Sequence, residues 1–231
     1  MSVNKRLIVF DCDGTLADSQ FLIVEAIQNS FRDIGFLAPN RQDILRTIGL
    51  SLPEALRTLA PVHAHGEMEL LLTGYREWAN RLRRHAEEPL FHGAASLLFN
   101  LAAREDIALG IATGKSRRGL DRLFLRQGLG GLFSTVQTAD DAPSKPHPAM
   151  LLQAMKETGT PPEETIMIGD TFYDMIMAGC ANVPGIGVTW GYHSQSELKK
   201  AGAKKIVSSF PELALALEAG EPLMTSYGEV A

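Results

Sequence analysis

The chain has 231 residues, of which 45% are hydrophobic, and this length allows one core or a core with a smaller second domain. Its formal net charge of −5 disfavours nucleic-acid binding, and no apolar run approaches the roughly 18 residues of a membrane-spanning helix. The two cysteines, Cys12 and Cys180, are far apart and the N-terminus lacks a signal-peptide pattern, so a reducing cytoplasm is the expected location.

In chain order, short apolar runs alternate with helical patterns. The runs are typical of buried parallel strands and cover 7–10, 107–112, 134–139, 165–170, 185–190 and 205–207. Between them, helical patterns cover 94–103, 117–127, 148–158, 173–178 and 194–201. This alternation predicts an α/β fold with a Rossmann-like open parallel sheet.

One long interval interrupts this alternation, because residues 18–88 contain no convincing strand. Their apolar patterns predict helices at 19–34, 41–48, 52–59 and 67–85. A connection between two parallel strands does not require so many residues. We therefore predict an all-helical cap domain at 18–88, inserted into a core domain formed by 1–17 and 89–231.

Polar side chains follow four of the predicted strands. They are Asp11 and Asp13 after the first strand, Thr113 after the second, Lys145 in the loop after the third, and Asp170 and Asp174 after the fourth. In open α/β sheets, ligands bind beyond the carboxyl ends of the strands. We therefore expect these side chains to form one site.

The residue types at these strand ends limit the chemistry of the site. Carboxylates that share a site raise one another's pKa unless a cation lies between them, and Mg²⁺ prefers carboxylate oxygens together with substrate phosphate. Asp11 and Asp13 lie on the same side of an extended chain, and Gly14 lets backbone amides approach an anion closely. A carboxylate can also attack phosphorus as a nucleophile. The pattern indicates metal-assisted phosphoryl chemistry.

These stretches resemble the four motifs of the haloacid dehalogenase superfamily, in its phosphatase branch. "DCDGT" resembles the first motif, "IATGK" the second, Lys145 of "SKPHP" the third and "IGDTFYD" the fourth. The resemblance covers essentially the whole chain and includes a helical cap of the C1 type, as in phosphoglycolate phosphatase-like members. It implies a phosphomonoester hydrolase that depends on Mg²⁺ and forms an aspartyl-phosphate.

The resemblance also implies roles in catalysis. Asp11 would attack phosphorus, whereas Asp13 would protonate the leaving oxygen and then activate water. Thr113 and the Gly114 amide would hold phosphoryl oxygens. Lys145 would balance the charge on the nucleophile and the phosphate.

Further roles concern the metal and the phosphate. The resemblance implies three Mg²⁺ ligands, namely Asp11, the Asp13 carbonyl and Asp170. Asp174 would orient Lys145 or a metal-bound water. Gly14 and Thr15 of the first motif are expected beside the bound phosphate.

Several reactions of this superfamily can be weighed on the sequence. Members that displace halide lack the second aspartate, so Asp13 disfavours dehalogenation. Members that cleave carbon–phosphorus bonds use a cap lysine, but no lysine occurs between Lys5 and Lys115. Phosphohexomutases similar to β-phosphoglucomutase keep Asp13 and remain an alternative, as do the pyrophosphatases.

The cap segment "RTIGLSLPEAL" at 46–56 resembles the specificity loop of phosphoglycolate phosphatase-like and pyrophosphatase-like members. We expect Arg46, Gly49 and Ser51 to lie near the substrate, and 2-phosphoglycolate is the leading substrate by analogy. Non-enzyme alternatives are a phospho-accepting receiver domain, which would lack the cap, and a catalytically silent binding protein. The expected partner is a small phosphorylated substrate, without nucleic acid or membrane, bound by a monomer or homodimer.

Overall fold

A six-stranded parallel sheet forms the centre of the computed structural model, which describes residues 5–85 and 87–218. The strands are β1 Arg6–Phe10, β2 Ile107–Ala112, β3 Thr135–Gln137, β4 Thr165–Gly169, β5 Gly185–Val188 and β6 Lys205–Val207. Their order across the sheet is β3-β2-β1-β4-β5-β6, and every neighbouring pair is parallel. The predicted α/β class and Rossmann-like sheet are confirmed.

Helices fill the connections between the strands and the long interval after β1. The helices of that interval are α1 Gln20–Asp33, α2 Arg41–Thr47, α3 Leu52–Leu59 and α4 Met68–Leu82, with a 3₁₀ turn at Val62–Glu67. The others are α5 Ala94–Ala102, α6 Arg117–Gln127, α7 Ala149–Thr158, α8 Phe172–Cys180, α9 Gln195–Lys200 and α10 Phe210–Glu218, with a 3₁₀ turn at Pro162–Glu164. None of the helices within 5–85 and 87–218 is both long and apolar enough to cross a bilayer.

One element was not predicted, and several predicted elements are shorter in the structure, among them the strand at 185–190, which ends at Val188, and the helix at 67–85, which covers Met68–Leu82. The helix α10 was not predicted at all. The strand predicted at 134–139 is shorter in the structure, because Thr138 already turns away from the sheet. Its N–H and hydroxyl both donate to the Asp141 carboxylate, at 2.9 and 2.6 Å. The chain therefore leaves the sheet early on this side and runs towards the loop that carries Lys145.

Strand β1 is buried on both faces of the sheet. Ile8 and Phe10 belong to the apolar cluster shared with α5, α6 and α10, whereas Leu7 and Val9 belong to the cluster shared with α7 and α8. Burial on both faces explains why the strand is an uninterrupted apolar run rather than an alternating one. Each such side chain contributes about 1.5–3 kcal/mol through burial. The strand is therefore a rigid support for Asp11, which directly follows it.

The helices α1–α4 form the cap and have an apolar cluster of their own. The most buried members are Ile27, Phe31, Ile44, Leu56 and Leu71. The two chain segments that join cap and core lie side by side, since the Asp18 N–H donates to the Pro89 carbonyl at 2.9 Å. The predicted boundaries between core and cap, after residues 17 and 88, fall where these two segments lie side by side, and the division into domains stays a prediction. Residues 1–4 and 219–231 of the predicted core lie outside the described residues.

Candidate active site

The carboxyl ends of β1, β2 and β4 meet at one edge of the sheet. Asp11 follows β1, Thr113 follows β2 and Asp170 follows β4, and β1 lies between the other two strands. Lys145 reaches the same edge from the loop between β3 and α7, so that its Nζ lies 2.9 Å from Asp11 Oδ1. A cavity of 420 Å³ above this edge is lined by residues of both core and cap, including Asp11, Asp13 and Thr113.

Asp11 is almost fully buried, with only 1% of its surface exposed. Lys145 is within ion-pair distance, yet neither Asp11 carboxylate oxygen accepts a well-directed hydrogen bond from the described residues. Burial raises the pKa of Asp11 to about 7, although the Lys145 ammonium works in the opposite direction. A buried carboxylate with unsatisfied oxygens is costly unless a ligand completes its surroundings. Asp11 is therefore poised to bind a cation and an electrophile.

Lys145 is held between two carboxylates by the start of helix α8. Its Nζ donates to Asp174 Oδ1 at 2.6 Å, and Asp174 Oδ2 accepts from the Thr171 hydroxyl at 2.7 Å. Thr171 and Asp174 form the capping box of α8. Burial disfavours the ammonium, but Asp11 and Asp174 outweigh it and raise the pKa of Lys145. The lysine therefore remains charged beside Asp11.

Asp11, Asp170 and Asp174 could hold a metal ion. Each offers a carboxylate oxygen that lies within 4.8 Å of the others. Burial, followed by repulsion from Asp11 and Asp174, raises the pKa of Asp170 well above its ordinary value. A divalent cation relieves this repulsion, and an all-oxygen donor set of this kind suits Mg²⁺. Asp174 is neutralised by Lys145 at 2.6 Å, whereas Asp170 has no ion pair among the described residues, so a metal would be held chiefly by Asp170 together with Asp11.

Thr15 and Gly14 support Asp170 rather than line the cavity. The Thr15 hydroxyl donates to Asp170 Oδ1 at 2.9 Å, and the Tyr192 N–H donates to Oδ2 at 2.9 Å. Gly14 has φ +90°, and a Cβ there would lie 2.3 Å from Asp170 Oδ2. Glycine is therefore required at this position both by the backbone and by the close approach of Asp170. Gly14 and Thr15 are not among the residues that line the cavity, and their expected position beside the bound phosphate stays a prediction.

The Asp13 side chain turns away from Asp11 and towards the cap. Its Oδ1 accepts from the Ser19 hydroxyl at 2.5 Å and from Lys115 Nζ at 2.7 Å. An extended strand would place the Asp11 and Asp13 side chains on the same face. Because the chain bends at Gly14, directly after Asp13, the two side chains contact different partners. Asp13 thus has a cationic partner of its own, distinct from the one beside Asp11.

Lys115 and Glu88 were not predicted as site residues. Lys115 is buried, and its Nζ also lies 2.9 Å from Glu88 Oε1, while Glu88 Oε2 pairs with Arg83 Nε at 3.0 Å. Against the effect of burial, Lys115 and Arg83 lower the pKa of Glu88 to about 2, and Asp13 and Glu88 raise the pKa of Lys115. The position of Lys115 in "IATGK", two residues after Thr113, is a sequence signal for it. Nothing in the sequence near Glu88 gives such a signal.

Thr113 and Gly114 form the wall of the cavity beside Asp11. Thr113 is fully buried, and its hydroxyl oxygen accepts from the Lys115 N–H at 3.2 Å. Gly114 touches the cap, because a Cβ there would lie 2.3 Å from the Leu50 carbonyl oxygen. The loop after β2 therefore presents a hydroxyl and a close-packed backbone to the cavity. This arrangement can bind phosphoryl oxygens.

The cap loop reaches the cavity with two of the three predicted residues. Gly49 and Ser51 line it, and the Ser51 N–H donates to the Ser144 hydroxyl at 2.8 Å. Arg46 is not among the lining residues. Its side chain is 65% exposed and lies 3.5 Å from Glu197, because the last turn of α2 directs it towards solvent and α9. The structure therefore does not bring Arg46 to the substrate cavity.

The site has buried aspartates and a lysine at the carboxyl edge of a parallel sheet, and a helical cap covers it. This arrangement is typical of a site for phosphoryl transfer. Consistent with this, residues 8–188 match the haloacid dehalogenase-like hydrolase family. The chain belongs to this family. The match over most of the chain argues against the receiver-domain alternative.

Related proteins agree with this assignment. A Dickeya dadantii (strain 3937) protein named "Probable phosphatase IndB" is 35% identical over 90% of this chain and 92% of its own length. A pyrophosphatase PpaX from Oceanobacillus iheyensis is 30% identical, covering 90% and 94% of the two chains. A phosphoglycolate phosphatase from Colwellia psychrerythraea is 27% identical, covering 93% and 97%.

Among solved structures, a hydrolase of the haloacid dehalogenase-like family from Streptococcus pneumoniae has a TM-score of 0.80. It is 25% identical and the alignment covers 93% of this chain and 99% of that chain. The predicted family, the fold with a helical cap and the enzyme class, a phosphatase, are confirmed.

Proposed function

We propose that the protein hydrolyses small phosphate monoesters with Mg²⁺ and that Asp11 is the nucleophile. The observation that carries the proposal is the state of the Asp11 carboxylate at the floor of the cavity. It is buried, none of its oxygens accepts a hydrogen bond from the described residues, and Lys145 Nζ lies 2.9 Å away. Lys145 attracts this carboxylate, and its oxygens are left free for attack because no described residue donates a hydrogen bond to them.

In the proposed first step, an Asp11 oxygen forms a bond to phosphorus as the ester P–O bond breaks. Asp13 gives its proton to the leaving oxygen, which departs as an alcohol. In the second step, Asp13 takes a proton from water while the water oxygen attacks phosphorus and releases Asp11. Because Lys115 and Ser19 contact only Oδ1 of Asp13, its Oδ2 is available for this proton transfer.

The other groups of the site stabilise charge. Lys145 would neutralise charge on Asp11 and on the phosphoryl group, and Thr113 with the Gly114 N–H would bind phosphoryl oxygens. Asp11, Asp170 and the Asp13 carbonyl would hold Mg²⁺, which when bound would offset the negative charge of the phosphate and the acids. Asp174 would act on catalysis only through Lys145, which it contacts at 2.6 Å.

We propose 2-phosphoglycolate as the substrate. Support comes from the relative named a phosphoglycolate phosphatase, which aligns over 93% of this chain, and from the Gly49–Ser51 loop in the cavity wall. Pyrophosphate is the second candidate, because the relative from Oceanobacillus iheyensis is named a pyrophosphatase and is 30% identical. A phosphohexomutase activity remains the alternative that the sequence left open.

A hydrolysis assay tests both parts of the proposal. The purified protein is expected to release phosphate from p-nitrophenyl phosphate with Mg²⁺ and to stop when EDTA is added. A panel containing 2-phosphoglycolate, pyrophosphate, glucose 1-phosphate and glucose 6-phosphate then ranks substrates by kcat/KM. Lack of activity on every member would contradict the proposed function. Conversion of glucose 1-phosphate into glucose 6-phosphate would favour the mutase instead.

A further inference from the structure

Four arginines line the cavity. Arg76 lies on the cap helix α4 and Arg83 directly follows the end of α4, whereas Arg118 and Arg122 lie on the core helix α6. Arg118 and Arg122 are four residues apart and therefore share one face of α6, and Arg76 lines the same cavity from α4. The acids of the lining, Asp11, Asp13 and Asp140, instead follow the ends of β1 and β3.

Most of these arginines have no acidic partner. Arg83 pairs with Glu88 at 3.0 Å, whereas the Arg122 side chain donates to the neutral Asn80 side chain at 2.7 Å. Arg76 and Arg118 form no ion pair or side-chain hydrogen bond with any residue in 5–85 or 87–218. Three cations thus line the cleft without an ion pair to any carboxylate within 5–85 and 87–218.

This crowding of positive charge has an energetic cost. Burial, followed by repulsion from Arg118, Arg83 and Arg126, lowers the pKa of Arg122. Like charges four residues apart on a helix, as at Arg118 and Arg122, are destabilising. The cost is removed when an anion binds, and the guanidinium fork matches both carboxylate and phosphate.

Arg122 also lies at a distance from the reacting end of the cavity. Helix α6 starts directly after the loop containing Thr113 and Gly114, and Arg122 is six residues beyond its N-cap Ser116. At about 1.5 Å per residue, its Cα is roughly 9 Å along the helix axis from the N-cap. The volume of the cavity, 420 Å³, is also that of a site for a whole metabolite rather than for one phosphate.

We propose that the basic cluster, defined as Arg76, Arg118 and Arg122, binds a second anionic group of the substrate. The preferred substrates are then phosphate esters with a carboxylate or another phosphate at the far end. This inference rests on the proposed function, since it assumes that the first phosphate occupies the site at Asp11. It assigns specificity to side chains of α4 and α6, outside the four motifs and the cap loop.

Binding measurements test the inference without turnover. In an Asp11→Asn background with Mg²⁺, calorimetry compares two matched ligand pairs. One pair is 3-phosphoglycerate and glycerol 3-phosphate, which differ by a carboxylate, and the other is fructose 1,6-bisphosphate and fructose 6-phosphate. In at least one pair, the ligand with two anionic ends is expected to bind at least about tenfold more tightly than its partner with one. The pair that discriminates identifies the second group as carboxylate or phosphate.

The cluster itself is tested by adding Arg122→Gln and Arg118→Gln to this background. Each substitution is expected to lower the affinity for the doubly anionic ligand about tenfold. The affinity for the matched ligand with one anionic group should fall less than about threefold. Arg81→Gln, which removes an exposed arginine over the Trp78 ring of α4, is the matched control and should change neither affinity.

Equal affinities within both pairs, or equal weakening of both members by Arg122→Gln, would overturn the inference. Its failure is distinct from failure of the proposed function, which shows as absent p-nitrophenyl phosphate hydrolysis by the unmodified protein.

Discussion

At the scale of single residues, the two neighbouring aspartates differ because of their partners. Asp11 lies beside Lys145 with unsatisfied oxygens, and Asp13 is bonded to Ser19 and Lys115. One acid is therefore free to react at phosphorus, while the other is oriented towards the cap, where a leaving group would emerge. The carboxylates of Asp11 and Asp13 thus have different cationic partners, although the two residues are only two positions apart in the sequence.

Replacing Asp11 by Asn is expected to lower kcat by at least about 10⁴-fold, because the amide cannot act as the nucleophile. Replacing Asp13 by Asn removes proton transfer and is expected to cost about 10²–10⁴-fold. With p-nitrophenyl phosphate, whose leaving group needs no proton, Asp13→Asn should still form phospho-enzyme, detectable by mass spectrometry after acid quench. Near-normal turnover by Asp11→Asn would exclude it as the nucleophile.

Glu88 is expected to stabilise the fold in a pH-dependent way. Lys115 and Arg83 lower the pKa of Glu88 from 4.5 to about 2. The contribution of the ionised Glu88 to the free energy of unfolding is therefore complete above the pKa of the unfolded chain and is lost as the pH falls towards 2. Glu88→Gln should lower the free energy of unfolding by about 2–3 kcal/mol at pH 7. The difference from wild type should shrink by about 1 kcal/mol at pH 3.5. Urea unfolding at both pH values measures it, and a constant difference would contradict the prediction.

The sequence predicted the residues at strand ends better than their partners. Asp11, Thr113 and Asp170 follow apolar runs, so their placement depends only on which strands are neighbours. Glu88 lies in an irregular connection and meets Lys115 only because the chain returns there from the cap. Such partners depend on how two distant segments cross, which local patterns do not encode.

At the scale of elements, helix α8 connects its own stability to the site. The capping box of Thr171 and Asp174 satisfies free N–H groups of the first turn and also fixes the carboxylate that holds Lys145. The helix start therefore has a structural role and a role in positioning the lysine. Helix α9 has the same type of capping box, formed by Ser194 and Glu197, away from the lysine.

Thr171→Val is expected to lower the free energy of unfolding by about 1–2 kcal/mol and kcat by about tenfold, because Asp174 no longer orients Lys145 firmly. Ser194→Ala is the matched control on α9 and should cost similar stability with unchanged kcat. Thr171→Ser should restore both quantities. Urea unfolding and steady-state kinetics give the two readouts, and equal kcat values for all three variants would refute the positioning role.

The contact between Gly114 and the cap loop predicts a second element-scale effect. An alanine Cβ at this position would lie 2.3 Å from the Leu50 carbonyl oxygen and 2.7 Å from that of Gly49. Gly114→Ala should displace the cap loop and raise KM, while Gly130→Ala, where a Cβ meets open space, should not. Faster proteolysis between 49 and 53 in Gly114→Ala would report the displacement directly, and unchanged KM together with unchanged cleavage would contradict it.

Among the elements, the strands and the cap were predictable but α10 was not. The cap helices bury one face each against a cluster of their own, so their apolar spacing is visible in the sequence. Helix α10 packs against the edge of the core near α5, through Phe210 and Leu213. Its apolar pattern is short and lies beside the last short strand, which makes the two elements difficult to separate by periodicity alone.

At the scale of the whole molecule, the site joins three strands, the loop with Lys145 and the start of α8 around buried negative charge. Asp11, Asp170 and Asp174 lie close together at the centre of the core. Their mutual repulsion opposes folding, so a divalent cation that binds the folded state should stabilise the entire protein. This effect does not depend on knowing the substrate.

Addition of Mg²⁺ to EDTA-treated protein is expected to raise the melting temperature. At tenfold excess over Kd the stabilisation is about 1.4 kcal/mol, which corresponds to about 3–6 °C for a chain of this size. Asp170→Asn should remove the shift, because it deletes a carboxylate that no lysine or arginine within 5–85 and 87–218 neutralises. Asp121→Asn, at an exposed position of α6, should retain the shift. An equal shift in Asp170→Asn would place the cation elsewhere, so the comparison tests the metal site independently of catalysis.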